Sequence, residues 1–211
     1  MPRNAEQTEE LANAASHGLS GLLALVAWPA LAAPAVDGQP VLHQAGVSVF
    51  GLTMLLMFVA STLYHAAPAG PARHRLRRLD HAAIYLFIAG SCTPFALGTP
   101  DNGGQWLVLA GVWALALAGM AAKLADRLRQ PLASTMLYLG FGWLAGAAAL
   151  PALSQLSGSS LAFLVAGGVA YSVGCGFFLL GRRMRYGHLV WHLFVMAGCS
   201  FHLLALLQMR G

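Results

Sequence analysis

The sequence predicts an all-α integral membrane protein, a seven-transmembrane helix bundle with its amino terminus cytoplasmic and its carboxyl terminus outside. Three observations lead to this fold class. The 211 residues are 58% hydrophobic and only 9% charged, whereas a soluble domain has about a quarter of its residues charged. The apolar residues form seven long runs. The basic residues fall almost entirely on one side of the topology that these runs imply.

Each apolar run is long enough for a tilted helix, which needs roughly 17 to 25 residues to cross the hydrocarbon core. The runs cover residues 16–33, 46–64, 81–97, 105–122, 131–150, 159–181 and 187–207. Prolines mark the boundaries of these runs: Pro131 lies at the start of the fifth run, and Pro34, Pro68, Pro100 and Pro151 lie at or beyond run ends. Pro29 and Pro94 fall inside runs, where we expect kinks. All connections are short, so we expect a single domain over 1–211, with 1–15 as a short cytoplasmic segment.

The basic residues orient the bundle. With seven spans, alternate loops lie on opposite sides of the membrane, and this places eleven of the 12 Lys and Arg residues on one side and Arg210 on the other. The eleven are Arg3, Arg73, Arg75, Arg77, Arg78, Lys123, Arg127, Arg129, Arg182, Arg183 and Arg185. By the positive-inside rule, that side is the cytoplasm. Their spread over separate short loops favours topology over recruitment of nucleic acid or anionic lipid, so we expect no nucleic-acid partner.

Glycines recur in the fifth and sixth runs, at Gly140, Gly142, Gly146, Gly167, Gly168, Gly174 and Gly176. Small residues let membrane helices approach closely. We expect packing within the bundle rather than a dedicated dimer interface.

The seventh run carries a histidine pair that suggests a metal site. His188 and His192 are four residues apart, so they share one helical face about 6 Å apart along the axis. Ionisable side chains inside a membrane span are expensive and mark functional sites by default. His65, at the end of the second run, lies at the same predicted depth near the cytoplasmic surface. Three imidazoles suit zinc and leave a fourth position for water, as in catalytic sites. The alternative is a set of histidines that only fill space.

Two further polar residues lie at that depth. Asp80 could orient a water molecule or accept its proton, and Ser61, one turn before His65, could hydrogen-bond the water, Asp80 or an oxyanion. The alternatives remain open: Asp80 could pair with Arg77 or Arg78 at the interface, and Ser61 could bond a carbonyl one turn back.

Other histidines and polar residues receive secondary roles. His202 lies ten residues beyond His192, about 15 Å deeper, so we expect a packed histidine or a second polar station in the cavity. Glu10, Asn13 and His17 share one face of the first helix and are expected to close the cytoplasmic mouth or cap the helix; for His17, a direct ligand role is the minor alternative. His43 and His74 are predicted in loops, and neither they nor His81 are assigned chemistry.

These motifs together resemble the bacterial hemolysin III family, the prokaryotic branch of the progestin and adipoQ receptor family. The matching stretches are residues 10–18, 60–65, 79–81 with 88–95, and 188–192 with His202. The resemblance implies seven helices and one zinc ion held by His65, His188 and His192, with Asp80 and Ser61 beside it. It also implies kinship with alkaline ceramidases, which are zinc amide hydrolases acting on lipids.

The sequence therefore predicts a zinc-dependent hydrolase of a lipid amide or ester in the bacterial cytoplasmic (inner) membrane, acting in membrane lipid homeostasis. The membrane lipid is the expected substrate or ligand. A pore-forming, hemolysin-like protein and a lipid-state sensor with a non-catalytic zinc are the alternatives. A pore is expected to carry polar residues through the whole membrane thickness, whereas the outer halves of most runs are apolar.

Overall fold

The chain folds into helices joined by short connections. The structure is a computed structural model that describes residues 5–32, 41–99, 104–181 and 183–209. For residues 30–32 it describes the backbone only. Within these ranges the helices are α1 (Ala5–Ala32), α2 (Val41–Ala66), α3 (Pro71–Gly98), α4 (Gln105–Leu124), α5 (Pro131–Ala148), α6 (Leu150–Leu153), α7 (Gly158–Leu180) and α8 (Gly187–Gln208). The predicted roles of Arg3, Pro34, Pro100, Arg182 and Arg210 lie outside the described residues.

Six of the described helices are long and apolar enough to cross a membrane: α1, α2, α3, α4, α7 and α8. Their outer faces are apolar, since large side chains such as Val26 and Leu107 remain 77% and 80% exposed. Exposed apolar surface of this extent belongs in lipid. The all-α integral membrane class is therefore confirmed, while α5, the predicted fifth span, is not among the six.

The helices extend beyond the apolar runs. α2 begins at Val41 rather than at residue 46, and α3 begins at Pro71 rather than at 81. The loop prediction for His43 and His74 is therefore wrong, because both lie in these helical extensions. The reason is physical: hydropathy measures the part of a helix that lies in hydrocarbon, and the arginines of α3 are good helix formers that continue the helix into water. Pro131 occupies the first turn of α5, as expected, and Pro71 occupies the first turn of α3, where the sequence predicted no helix start.

α1 contacts both α2 and α8, and α3 packs along α2. One core cluster joins Phe50 and Phe58 of α2 to Phe87 of α3 and Leu206 of α8. Close helix contact requires glycine at Gly90, where a Cβ would collide with Thr53 of α2. This arrangement brings the end of α2, the start of α8 and the first half of α1 together.

The glycines of α5 do not act as predicted. A Cβ on Gly140, Gly142 or Gly146 would meet nothing within 4 Å, so these residues do not mediate helix contact. Gly142 and Gly146 instead line an apolar cavity. In α7 the packing prediction holds at Gly174, which approaches Trp191 and Phe194 of α8.

Candidate metal centre

Three histidines from two helices form one cluster. His65, His188 and His192 each offer a ring nitrogen, and these nitrogens all lie within 4.8 Å of one another. The ring centroid of His65 is 4.9 Å from that of His188 and 5.0 Å from that of His192. His65 and His192 are buried, and His188 is half-buried. Side chains so arranged could hold a metal ion.

Local structure explains how the two helix ends meet. His65 is the penultimate residue of α2, and α8 begins only one residue before His188. The chain turns into α8 at Tyr186, whose φ of 58° is left-handed and unusual for a non-glycine residue. Gly187 then packs directly on the backbone of Gly181, where a Cβ would not fit. This tight turn sets the first turn of α8, with His188 and His192 one turn apart on one face, against α2.

Asp80 and Ser61 lie beside the cluster. Both are buried, and both side chains line the same cavity as the histidines. The alternative pairing of Asp80 with Arg77 or Arg78 is not formed in the described part of the chain. Arg78 instead donates to the carbonyl oxygen of Leu124 at 3.3 Å. Asp80 thus faces inwards, towards the histidines.

A cavity of about 570 Å³ connects these groups. The three clustered histidines, Asp80 and Ser61 all line it. His81, which the sequence left without chemistry, also lines it, and its Nε2 lies 4.0 Å from an oxygen of Asp80. Lys123 and Arg129 line the wall formed by α4 and the loop that follows it. A cavity of this size has room for a metal ion beside the histidines and for a small reacting group.

Helix α1 contributes more to the site than the sequence predicted. Glu10 Oε2 lies 2.7 Å from His65 Nδ1, and the other carboxylate oxygen of Glu10 pairs with Arg73. Ser16 Oγ lies 3.1 Å from His192 Nδ1. Ser16 and Arg73 were given no site role from sequence. Ser16 lies among the motif residues of α1, but its contact with a residue of α8 is visible only in three dimensions.

Asn13 and His17 are also buried at this site. His17 stacks on His192, with ring centroids 3.6 Å apart. The group of potential metal ligands found in the described residues does not include it. The expectation that Glu10, Asn13 and His17 close the mouth or cap the helix is therefore refined: they contact the cluster itself.

His202 lies apart from the cluster. Its ring meets that of Tyr171 edge-on, with centroids 5.4 Å apart. It lines a second cavity of about 410 Å³, whose walls are almost wholly apolar. Tyr138, Cys175 and Trp191 line both cavities, so the two spaces adjoin. His202 therefore lies at the apolar cavity, apart from the histidine cluster.

The donor set fits a divalent metal ion. Neutral imidazole is a common ligand for zinc, copper, iron and nickel. The Nε2 atom of His65 is buried and has no hydrogen-bond partner among the described residues, and a buried polar atom in that state is costly unless something binds it. A metal ion between the three ring nitrogens would give this Nε2 atom a binding partner.

Comparison with known proteins agrees with these features. The sequence pattern of a family described as "Haemolysin-III related" matches residues 5–203. The chain belongs to this family. The matched stretch contains every candidate residue from Glu10 to His202, so the resemblance inferred from the motifs is confirmed.

Two bacterial members of the haemolysin-III related family are similar over most of their length. Hemolysin-3 of Bacillus cereus is 38% identical over 192 residues, which cover 91% of this chain and 87% of that protein. A Hemolysin-3 homolog of Bacillus subtilis (strain 168) is 37% identical, covering 91% and 90%. A more distant relative is the human monocyte to macrophage differentiation factor, 25% identical over 83% of this chain and 78% of that protein. No solved structure matches the chain.

Proposed function

We propose that this protein is a zinc-dependent hydrolase of a lipid amide or ester, acting in membrane lipid homeostasis. One observation carries the proposal: the three-histidine cluster and the buried Asp80–Ser61 pair line the same cavity. A metal site with three protein ligands keeps a position open for water or substrate, as catalytic zinc sites do. A buried carboxylate beside that position suits proton transfer.

In this proposal, His65, His188 and His192 hold the ion and Asp80 and Ser61 act on the substrate. Zinc, when bound, supplies a Lewis acid that polarises a carbonyl and lowers the pKa of a bound water. Asp80 orients the attacking water, accepts its proton and returns a proton to the leaving amine or alcohol. Ser61 has one hydroxyl hydrogen, which it donates either to the Asp80 carboxylate before the reaction or to the oxyanion as it develops.

The apolar cavity supports a lipid substrate. It adjoins the polar cavity through Tyr138, Cys175 and Trp191. An amide or ester that reaches the histidines can therefore leave its hydrocarbon chain in the neighbouring space, and burial of apolar surface favours that position. His202 at this second cavity is a candidate polar contact for the bound lipid.

The proposal includes the topology. We infer one seven-span domain over 1–211, in which α5 is the fifth span in addition to the six long apolar helices. We place the amino terminus in the cytoplasm and the protein in the bacterial inner membrane. Arg73, Arg127 and Arg183 near helix ends support this orientation by the positive-inside rule. The site then lies near the cytoplasmic surface, and lipid enters from the inner leaflet.

A second function is favoured by one observation, the name of the Bacillus cereus relative, Hemolysin-3. A pore-forming protein or a sensor of lipid state would use the same metal without turnover. Measured lipid hydrolysis would favour the enzyme over the pore and the sensor.

The test measures zinc per chain by elemental analysis in protein purified without chelator, followed by hydrolysis of ceramide and acyl-ester lipids. We expect about one zinc in the wild type and little in His65→Ala and His188→Ala. Wild-type protein that is folded but binds no zinc contradicts the proposal. Zinc without hydrolysis of either lipid class favours the sensor or pore.

A further inference from the structure

We propose that α1 is the positioning helix of the metal centre: Glu10 and Ser16 hold the Nδ1–H groups of His65 and His192, so that both rings present Nε2 to the ion. This inference rests on the metal site of the proposed function. It concerns residues that touch the ligands and do not touch the metal.

The first half of the argument is the contact between Glu10 and His65. A carboxylate only accepts hydrogen bonds, so at 2.7 Å from Glu10 Oε2 the Nδ1 atom of His65 must carry the hydrogen. In neutral imidazole the other nitrogen then has a free lone pair. That nitrogen is Nε2, the buried atom without a partner among the described residues. Glu10 thus fixes the tautomer that a metal ligand needs.

The second half is the contact between Ser16 and His192. The Ser16 hydroxyl donates to the backbone oxygen of Asn13 at 2.8 Å, so its single hydrogen is already used. At 3.1 Å from His192 Nδ1, the Ser16 oxygen must therefore accept. His192 also carries its hydrogen on Nδ1, and its Nε2 is left for the ion.

Arg73 of α3 completes the arrangement. Its guanidinium pairs with the second oxygen of Glu10 and lies over the ring of Tyr64, 5.3 Å from the centroid. Glu10 is only partly buried, with 25% of its side chain exposed, so it needs such a partner to stay in one rotamer. The relay from Arg73 through Glu10 to His65 links α3, α1 and α2.

Outer hydrogen bonds of this kind orient a histidine ligand and raise its basicity. Their loss commonly weakens metal binding by about 10- to 100-fold. Because α1 supplies two of them, α1 determines metal affinity without giving a ligand.

The experiment measures zinc affinity by chelator competition in detergent-purified full-length protein, and the absorption spectrum after cobalt replaces zinc. The variants are Glu10→Ala, Glu10→Gln and Ser16→Ala. Matched controls on the same helix are Glu9→Ala, whose nearest cation is Arg185 at 3.9 Å, and Ser20→Ala, whose hydroxyl donates to the backbone of Ser16.

We expect about 10- to 100-fold weaker zinc binding in Glu10→Ala, a smaller loss in Glu10→Gln because its amide oxygen still accepts, and weaker binding in Ser16→Ala. The cobalt spectrum should change in the same order, which a purely structural role would not produce. Both controls should stay within about twofold, since neither side chain touches a ligand histidine.

Wild-type affinity and spectrum in Glu10→Ala and Ser16→Ala overturn the inference while leaving the zinc site intact. If Glu10→Ala does not fold, Glu10→Gln and Ser16→Ala decide, and unchanged affinity in both overturns it. Wild-type protein that binds no metal overturns the proposed function and this inference together. If the variants bind metal more weakly as expected but the wild type has no hydrolase activity, the inference is supported and only the proposed enzymatic function is contradicted.

Discussion

The ring of His17 lies flat on the ring of His192, with centroids 3.6 Å apart and planes 6° from parallel. His17 also meets the ring of Phe58 edge-on, with centroids 5.1 Å apart. The group of potential metal ligands among the described residues does not include His17, so we propose that His17 packs on the ring of His192 and is not itself a ligand.

Replacing His17 with Phe should keep about one zinc per chain, because an aromatic ring still supports His192. His192→Ala should remove the zinc. Elemental analysis of the two purified variants beside the wild type checks this. Loss of zinc in His17→Phe, with the fold intact, would make His17 a ligand after all.

Asp80→Asn should retain the metal and suppress lipid hydrolysis by about 100- to 10,000-fold, since the amide cannot accept the proton from water. Turnover of the substrate found in the screen is the measurement, with zinc content measured in the same preparation. Asp126→Asn is the matched control, because Asp126 also lines the polar cavity but pairs with Arg129 near the surface. Full activity in Asp80→Asn would remove Asp80 from the mechanism.

Removal of the metal should destabilise the wild type. A ligand that binds only the folded state stabilises it by about 2.7 kcal/mol at 100 times its Kd. Thermal unfolding in detergent, with chelator and then with added zinc, should therefore show a lower Tm that zinc restores. His188→Ala should show the low Tm under both conditions, and a zinc response in that variant would argue for a different site.

Gly142→Leu should fill part of the apolar cavity and impair hydrolysis of long-chain lipids while zinc binding is unchanged. Each methylene that loses its buried position costs about 0.8 kcal/mol, so kcat/KM should fall about tenfold or more for long chains and less for short ones. Gly140→Leu is the control: it adds the same side chain to the same helix, also into open space, but does not line the cavity. An equal fall of kcat/KM in the two variants would show that the apolar cavity does not bind the substrate's chain.

The sequence predicted the features that depend on local spacing. The four-residue interval between His188 and His192 and their depth beside His65 led to the cluster that the structure contains. The start of α5 was predicted at Pro131, where the apolar run and the helix begin together. The start of α3 at Pro71 was missed, because charged residues continue that helix into water before His81.

Contacts between distant segments could not be predicted in this way. Ser16 and His192 meet only because α1 contacts α8 as well as α2, and no local pattern carries that information. Gly142 suggested close helix packing, whereas the structure has a cavity there, since a glycine permits either. The sequence predicted a span in α5 because its residues are mostly apolar. The helix is short and contains proline, serine and threonine, and it is not among the six longer helices that are apolar enough to cross a membrane.

The histidine cluster joins segments that are far apart in the chain: His65 lies at the end of α2, while His188 and His192 lie in the first two turns of α8, the last described helix. During synthesis, the first imidazole enters the bilayer long before its two partners have been translated. An ion held by all three histidines would close a loop of the chain that contains every helix from α3 to α7. Closing so long a loop has an entropic cost that the ion must offset. In the proposed site, a chain without α8 offers only one of the three nitrogens, so we expect metal binding to require both α2 and α8.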